Sequence, residues 1–213
     1  MNISIKKIPK VIYYWWSGSE FPEKNKKLLD TWKDKNPEHS IIRISENYED
    51  HSWVKSCLDE NQYAFASDYI RCKYLYDNGG IWLDSDIECI KSFDDFFHNR
   101  EYFFVWENNN NLINLCAFGC QKGNKYLKKM IDFYDKKTFQ EIKLSRYYIN
   151  GEVYENKPTI IMIASSILPL GNMNIFPNEF LIAGHYIEHV SKQPGYCITH
   201  NTYTKHHYHK GWE

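Results

Sequence analysis

No apolar run in this chain is long enough to cross a bilayer. The most apolar stretch, Ile160 to Leu170, is interrupted by Ser165, Ser166 and Pro169, and a spanning helix takes about 20 residues. The start, Met1 to Lys10, is polar and lacks the apolar core of a secretory leader. A charge excess of either sign is also missing, because 26 basic residues face 27 acidic ones for a net charge of −1. No bulk field therefore holds the chain on nucleic acid or anionic lipid, although a local basic patch stays open. Arginine is scarce, at 4 residues against 22 lysines. A planar guanidinium is the better fork for a buried phosphate, so Arg43, Arg71, Arg100 and Arg146 each count. No Cys-x-x-Cys pair occurs among the six cysteines. Cys116 and Cys120 could share a zinc ion, but no second pair has structural-site spacing. They read as core thiols of a reduced, cytoplasmic protein.

Aromatic residues are abundant. There are 7 Trp, 17 Tyr and 12 Phe, 17% of the chain, which serve a core first and can also offer stacking platforms. A 43% hydrophobic and 25% charged composition excludes a disordered or low-complexity chain. At 213 residues, a single domain over 1–213 is the economical expectation.

Lys10 to Trp16 is a continuous apolar run ended by Ser17-Gly18-Ser19, the pattern of a strand buried on both faces. Pro22 to Lys35 reads as a helix, Ser40 to Ser45 as a second strand, and this β-α-β opening favours a parallel sheet. Residues 62–78 form the clearest helix, stopped by Gly79-Gly80. Ile81 to Leu83 is a short strand running into Asp84-Ser85-Asp86. Strands are expected at Tyr102 to Trp106 and Leu112 to Gly119, and helices at Lys125 to Lys136 and Pro158 to Leu168, the last with Pro in its first turn. The final 30 residues read as short strands and turns.

Asp84 and Asp86, two apart at a strand end, can converge on one hard cation such as Mg²⁺ or Mn²⁺. Ligands of open α/β sheets bind outside the carboxyl ends of strands, although Asp-x-Asp also occurs in ordinary surface turns. Asp68 and Arg71 share a helix face, either as a pocket pair or as a surface ion pair. Trp15 and Trp16 point to opposite faces of their strand, so one belongs to the core and the other can stack on a base. His200, His206, His207 and His209 crowd the last 14 residues, where one could complete the cation site; a solvated polar tail is the other reading.

The segment Ile8 to Gly18, and above all Ala66-Ser-Asp-Tyr-Ile-Arg-Cys-Lys-Tyr-Leu-Tyr-Asp-Asn-Gly-Gly-Ile-Trp-Leu-Asp-Ser-Asp86, resembles glycosyltransferase family 32. That family includes bacterial capsular and lipooligosaccharide transferases, fungal α-mannosyltransferases and the catalytic domain of the clostridial glucosylating toxins. The resemblance implies an α/β fold of GT-A type, a Rossmann-like nucleotide-binding sheet flanked by helices. It implies a nucleotide-sugar donor, a UDP-hexose before a GDP-mannose, and a Mn²⁺ or Mg²⁺ cofactor. Carried over, Trp16 stacks on the base, Asp68 and Arg71 contact the donor sugar and ribose–phosphate, Asp84 and Asp86 bind metal, Asn114 lies near the sugar, and His206 opens a C-terminal motif closed by Trp212. Asp68, Arg71 and Asp86 are the residues expected to carry catalysis. Gly211 replaces the family serine before Trp212, and Lys157-Pro158 replaces its Gly-Pro. The expected activity is retaining, metal-dependent transfer of a hexose to a glycan, lipid-linked or protein acceptor, in the cytoplasm or peripherally at the inner membrane face. No nucleic-acid partner is expected. A non-catalytic nucleotide-sugar or glycan-binding module on the same fold is the alternative.

Overall fold

The computed structural model describes residues 7–17, 20–108, 112–149, 151–155, 158–183 and 197–209. The chain runs β1 (Val11–Trp15), α1 (Glu23–Lys35), β2 (Ser40–Ile44), α2 (Ser52–Asp59), α3 (Tyr63–Asn78), β3 (Gly80–Leu83), β4 (Ile87–Cys89) and α4 (Asp95–His98). It continues with β5 (Tyr102–Asn108), β6 (Leu112–Cys120), α5 (Lys125–Tyr134), α6 (Phe139–Ile142), β7 (Arg146–Ile149), β8 (Glu152–Glu155), α7 (Ile160–Ile167), β9 (Ile175–Phe176) and β10 (Thr204–His206).

The central sheet has six strands in the order β2-β1-β3-β6-β5-β9. β1 is parallel to both β2 and β3, β6 runs antiparallel to β3 and β5, and β9 is parallel to β5. The apolar runs behave as buried strands should: β3 is buried throughout and so are all nine residues of β6. Alternate residues feed two cores. Tyr13, Trp82, Phe104 and Phe118 pack with Cys72 and Leu75 of α3 and Leu127, Met130 and Ile131 of α5. Ile12, Ile81, Leu83 and Phe103 pack on the other face with Leu29 and Trp32 of α1 and Phe97 of α4.

Gly79 and Gly80 make the corner between α3 and β3. Their φ angles are +71° and +121°, and a Cβ on Gly80 would stand 2.9 Å from the Val11 carbonyl oxygen. Both conformations suit glycine alone. The helix expected from Pro158 begins later, at Ile160, because Thr159 caps it by accepting from the Met162 N–H; Pro158 stands before the cap. The helices α2, α4 and α6 and the strand β9 were absent from the sequence reading, and so were two pairings. β4 pairs with β10 as a separate antiparallel ribbon, and β7 pairs with β8 as a hairpin. The ribbon brings the C-terminal histidines to the D-S-D turn.

Candidate active site

β2, β1 and β3 all point their carboxyl ends at one edge of the sheet. A cavity of about 290 Å³ opens there, at the small end of the range for ligand pockets. Trp15, Trp16 and Ser17 bound it on the β1 side, Asp84, Ser85 and Asp86 on the β3 side, and Tyr63, Ala64, Ser67 and Arg71 along α3. Tyr63, Ser67 and Arg71 recur every four residues, so one stripe of α3 faces the cavity. Asn25, Trp82 and His209 complete the wall.

Both tryptophans reach the cavity in different states. Trp15 is buried and donates its indole N–H to Asn47 Oδ1 at 3.1 Å. Trp16 is partly exposed, donates to the Glu20 carbonyl at 3.0 Å and stands edge-on to Phe21.

Arg71 and Asp68 are buried, at 6% and 5% exposure, which excludes a solvated surface pair. Arg71 donates from Nη1 to the Leu115 carbonyl at 2.9 Å and from Nη2 to Ser67 Oγ at 2.7 Å. It pairs with Asp84 at 3.1 Å and Asp68 at 3.3 Å and lies over the Trp82 ring. Burial works against its charge, and the two carboxylates more than offset that. Asp68 Oδ2 accepts from the Ile160 N–H at 3.1 Å, so it anchors the first turn of α7 and does not line the cavity. Burial, helped by the Asp84 charge, pushes the Asp68 carboxyl up to about 7 against the pull of Arg71.

Asp84 Oδ1 accepts from the Trp82 indole at 2.7 Å. Its carboxyl is also raised, by burial first, with Arg71 opposing. Asp86 behaves oppositely. Burial alone raises it, but His206 and the His209 backbone N–H outweigh that and hold it at about 2. His206 Nε2 sits 3.1 Å from Asp86 Oδ1, and the His209 N–H donates to Oδ2 at 2.9 Å. Next along the chain, His207 faces away to Glu88 at 2.7 Å. Asn114 lies in β6, bonded to Glu107 and to the Cys116 N–H, and does not line the cavity. Trp212 falls outside the described residues.

Residues 2–176 match the family of capsular polysaccharide synthesis proteins. The chain belongs to this family. It is 28% identical over 159 residues to Subversion of eukaryotic traffic protein A of Legionella pneumophila, covering 59% of this chain and 24% of that protein. It is 26% identical over 131 residues to inositol phosphoceramide mannosyltransferase 3 of Schizosaccharomyces pombe, covering 58% of this chain and 36% of that one. The chain thus spans about a quarter and about a third of the length of these curated relatives. The solved PaToxG glycosyltransferase matches it with a TM-score of 0.56 at 22% identity, covering 75% of this chain and 69% of that one. That likeness establishes the GT-A fold.

Within this capsular-synthesis family member, the cavity's carboxylate end has the chemistry of a cation site. Asp84, Cys116 and His206 place ligand atoms within 4.8 Å of one another. His206 Nδ1 is buried with no nitrogen or oxygen partner, and besides Asp86 the imidazole has the Cys116 thiol as a neighbour. Carboxylates with imidazole fit Mn²⁺ better than Mg²⁺. Sequence reasoning did not single out Asn25, Ser85 or Cys116 for this site. Asn25 Nδ2 donates to both the carbonyl and Oγ of Ser85, at 3.1 and 3.0 Å, tying α1 to the D-S-D turn. A signal existed: Asn25 stands on the stripe Leu28, Leu29 and Trp32 that α1 buries.

Proposed function

We propose that the chain is a metal-dependent, retaining glycosyltransferase that moves a hexose from a nucleotide-sugar donor, a UDP-hexose first, to a glycan, lipid-linked or protein acceptor. One observation carries the reading. A single cavity at the carboxyl ends of the parallel strands joins an aromatic pair, Trp15 and Trp16, to the carboxylates Asp84 and Asp86. This is where doubly wound sheets bind nucleotides. The aromatic end suits a base, and the carboxylate end suits the cation that accompanies a diphosphate. Asp84, Asp86 and His206 would hold a Mn²⁺ or Mg²⁺ ion, whose chemistry there would be charge neutralisation of a leaving diphosphate. Arg71 adds a fixed positive charge beside it, already oriented by Ser67 and Leu115. Asp68 fixes Arg71 and the start of α7, and through them the sugar end of the cavity.

The mannosyltransferase relative supports transfer as the activity. No helix among the described residues is long and apolar enough to cross a membrane. An enzyme meeting its acceptor in the cytoplasm or at the inner membrane face fits that. The test is a panel of nucleotide sugars incubated with Mn²⁺, with free nucleoside diphosphate as the readout. Release from one donor supports transfer, because such enzymes leak hydrolysis. Tight binding without release from any donor favours a binding module, a reading consistent with the protein partners that already occupy Arg71.

A further inference from the structure

We propose that the layer formed by α5, α7 and the β7–β8 hairpin is a docking surface for an anionic lipid bilayer. The lysines of α5 and of the turn behind it meet the headgroups, and Leu144, Tyr148 and Val153 at the hairpin reach the apolar zone beneath them. The inference goes beyond the transferase reading and does not depend on it.

Charge is unevenly spread along this chain. Between Lys122 and Lys137 six lysines face only Asp132 and Asp135, in a chain whose net charge is −1. All six are exposed. α5 buries Tyr126, Leu127, Met130, Ile131 and Tyr134, which turns Lys125, Lys128 and Lys129 to the opposite face. Lys128 pairs with Asp132, and Asp135 is taken by His51. Lys122, Lys129, Lys136 and Lys137 make no ion pair among the described residues. The positive charge of this face is therefore not neutralised within the fold, and it suits an anionic partner.

The apolar part belongs to the same layer. α7 contacts both α5 and β7, and all three turn buried residues to one core, Leu127, Ile163 and Tyr147 among them. Their outward faces therefore look away from the same face of the central sheet. The hairpin pairs with no other strand among the described residues. Tyr147 and Ile149 are buried in the core, so alternation turns Tyr148 outward, beside its cross-strand partner Val153. Leu144, Tyr148 and Val153 are 74%, 68% and 52% exposed. Apolar residues scattered singly over a surface are ordinary, but a group of them on an unpaired hairpin is a patch. Lysines next to aliphatic and tyrosine side chains suit a bilayer interface, where ammonium groups meet phosphates and the apolar groups reach below them. A nucleic-acid face favours arginine. Arg146, the arginine of this layer, is paired with Glu155 at 2.7 Å.

The test is sedimentation of the full chain with vesicles of phosphatidylcholine alone, or of phosphatidylcholine mixed equally with phosphatidylglycerol. The expected result is pelleting with the mixed vesicles only, weakening as salt rises. Lys125→Ala, Lys129→Ala and Lys136→Ala combined should lower the partition coefficient about 100-fold, at about fivefold per lysine. Leu144→Ser combined with Tyr148→Ser should weaken pelleting and leave its salt dependence unchanged, because the electrostatic part remains. All five side chains are exposed, so both variants should melt with the parent, and the salt titration needs no variant. Equal pelleting with neutral vesicles, pelleting with neither, or a variant of either kind that pellets like the parent overturns the proposal. Capture of the chain by a mixed-sequence oligonucleotide in place of the vesicles overturns it as well. The functional reading fails separately, since nucleoside diphosphate release is read on the same preparations without vesicles. Release with no pelleting keeps the transferase and removes the docking surface. Pelleting with no release from any donor does the reverse.

Discussion

Trp16→Ala and Trp15→Ala separate a ligand platform from a core residue. Trp16 is partly exposed, and its side chain donates to the Glu20 carbonyl. Removing its ring leaves the sheet intact, so its cost falls on the bound base. Base–aromatic stacking is worth about 1–3 kcal/mol, which lowers nucleotide affinity about 5- to 150-fold at 1.4 kcal/mol per decade. Trp15 is 8% exposed and packs in the core with Ile44, Trp53 and Trp82. Truncating a buried tryptophan costs about 3–5 kcal/mol of stability, and the Asn47 bond is lost as well. The assay is paired: nucleoside diphosphate titration by tryptophan fluorescence, and urea denaturation of the same preparations. Trp16→Ala should lose affinity at unchanged stability, and Trp15→Ala should lose stability first. Parent affinity in Trp16→Ala would move the base away from β1 and refute the orientation of the donor.

Gly80→Ala should destabilise the chain by about 1–3 kcal/mol from its backbone angle alone. The Cβ would also stand 2.8 Å from the Tyr13 ring, and a melting temperature equal to the parent's would contradict this geometry. Asp68→Ala should cost about 1–3 kcal/mol, because the Ile160 N–H loses its acceptor. Asp68→Asn keeps an oxygen there and should recover most of it, whereas equal losses in urea melts would assign the effect to charge. Acid should weaken the fold through His39, which lies 2.9 Å from His98 Nε2 with its own Nδ1 buried and unbonded. Burial first, then His98 and Lys10, lower it from 6.5 to about 4. The unfolded chain binds the extra proton in that window, so this stability is complete above about 6.5 and lost as pH falls toward 4. His39→Gln should flatten the urea midpoint between those pH values relative to the parent.

The sheet's leading half was legible because its signals are local and strong. The apolar run before Ser17 became β1, the Gly-Gly corner ended α3, and the strand after it delivered Asp84 to a sheet edge. The β4–β10 ribbon was not legible. Its strands are three residues each, too short for a period, and pairing across more than a hundred residues leaves no local trace. The hairpin did leave one. Asn150-Gly151 between β7 and β8 is the dipeptide a two-residue turn demands, and Gly151 has φ +85°. Within the site, choosing among adjacent histidines needed the ribbon's register, since alternation alone sends His206 to Asp86 and His207 to Glu88. Cys116 read as a core thiol, and it is one by burial. Only the fold shows that its neighbours are Asp84 and His206.

The central claim is that Asp84 serves a cation and a diphosphate. Asp84 is a quarter exposed at the end of β3 and lines the cavity, but it also pairs with buried Arg71 at 3.1 Å, so Asp84→Asn should melt below the parent yet stay folded, because Asp68 still faces Arg71. The decisive measurement is nucleoside diphosphate release from the best nucleotide sugar, by parent and Asp84→Asn, across a Mn²⁺ titration. The account predicts cation-dependent release by the parent and none by the variant at any Mn²⁺ concentration. Release by Asp84→Asn at the parent rate, or parent release that persists in EDTA, would contradict it.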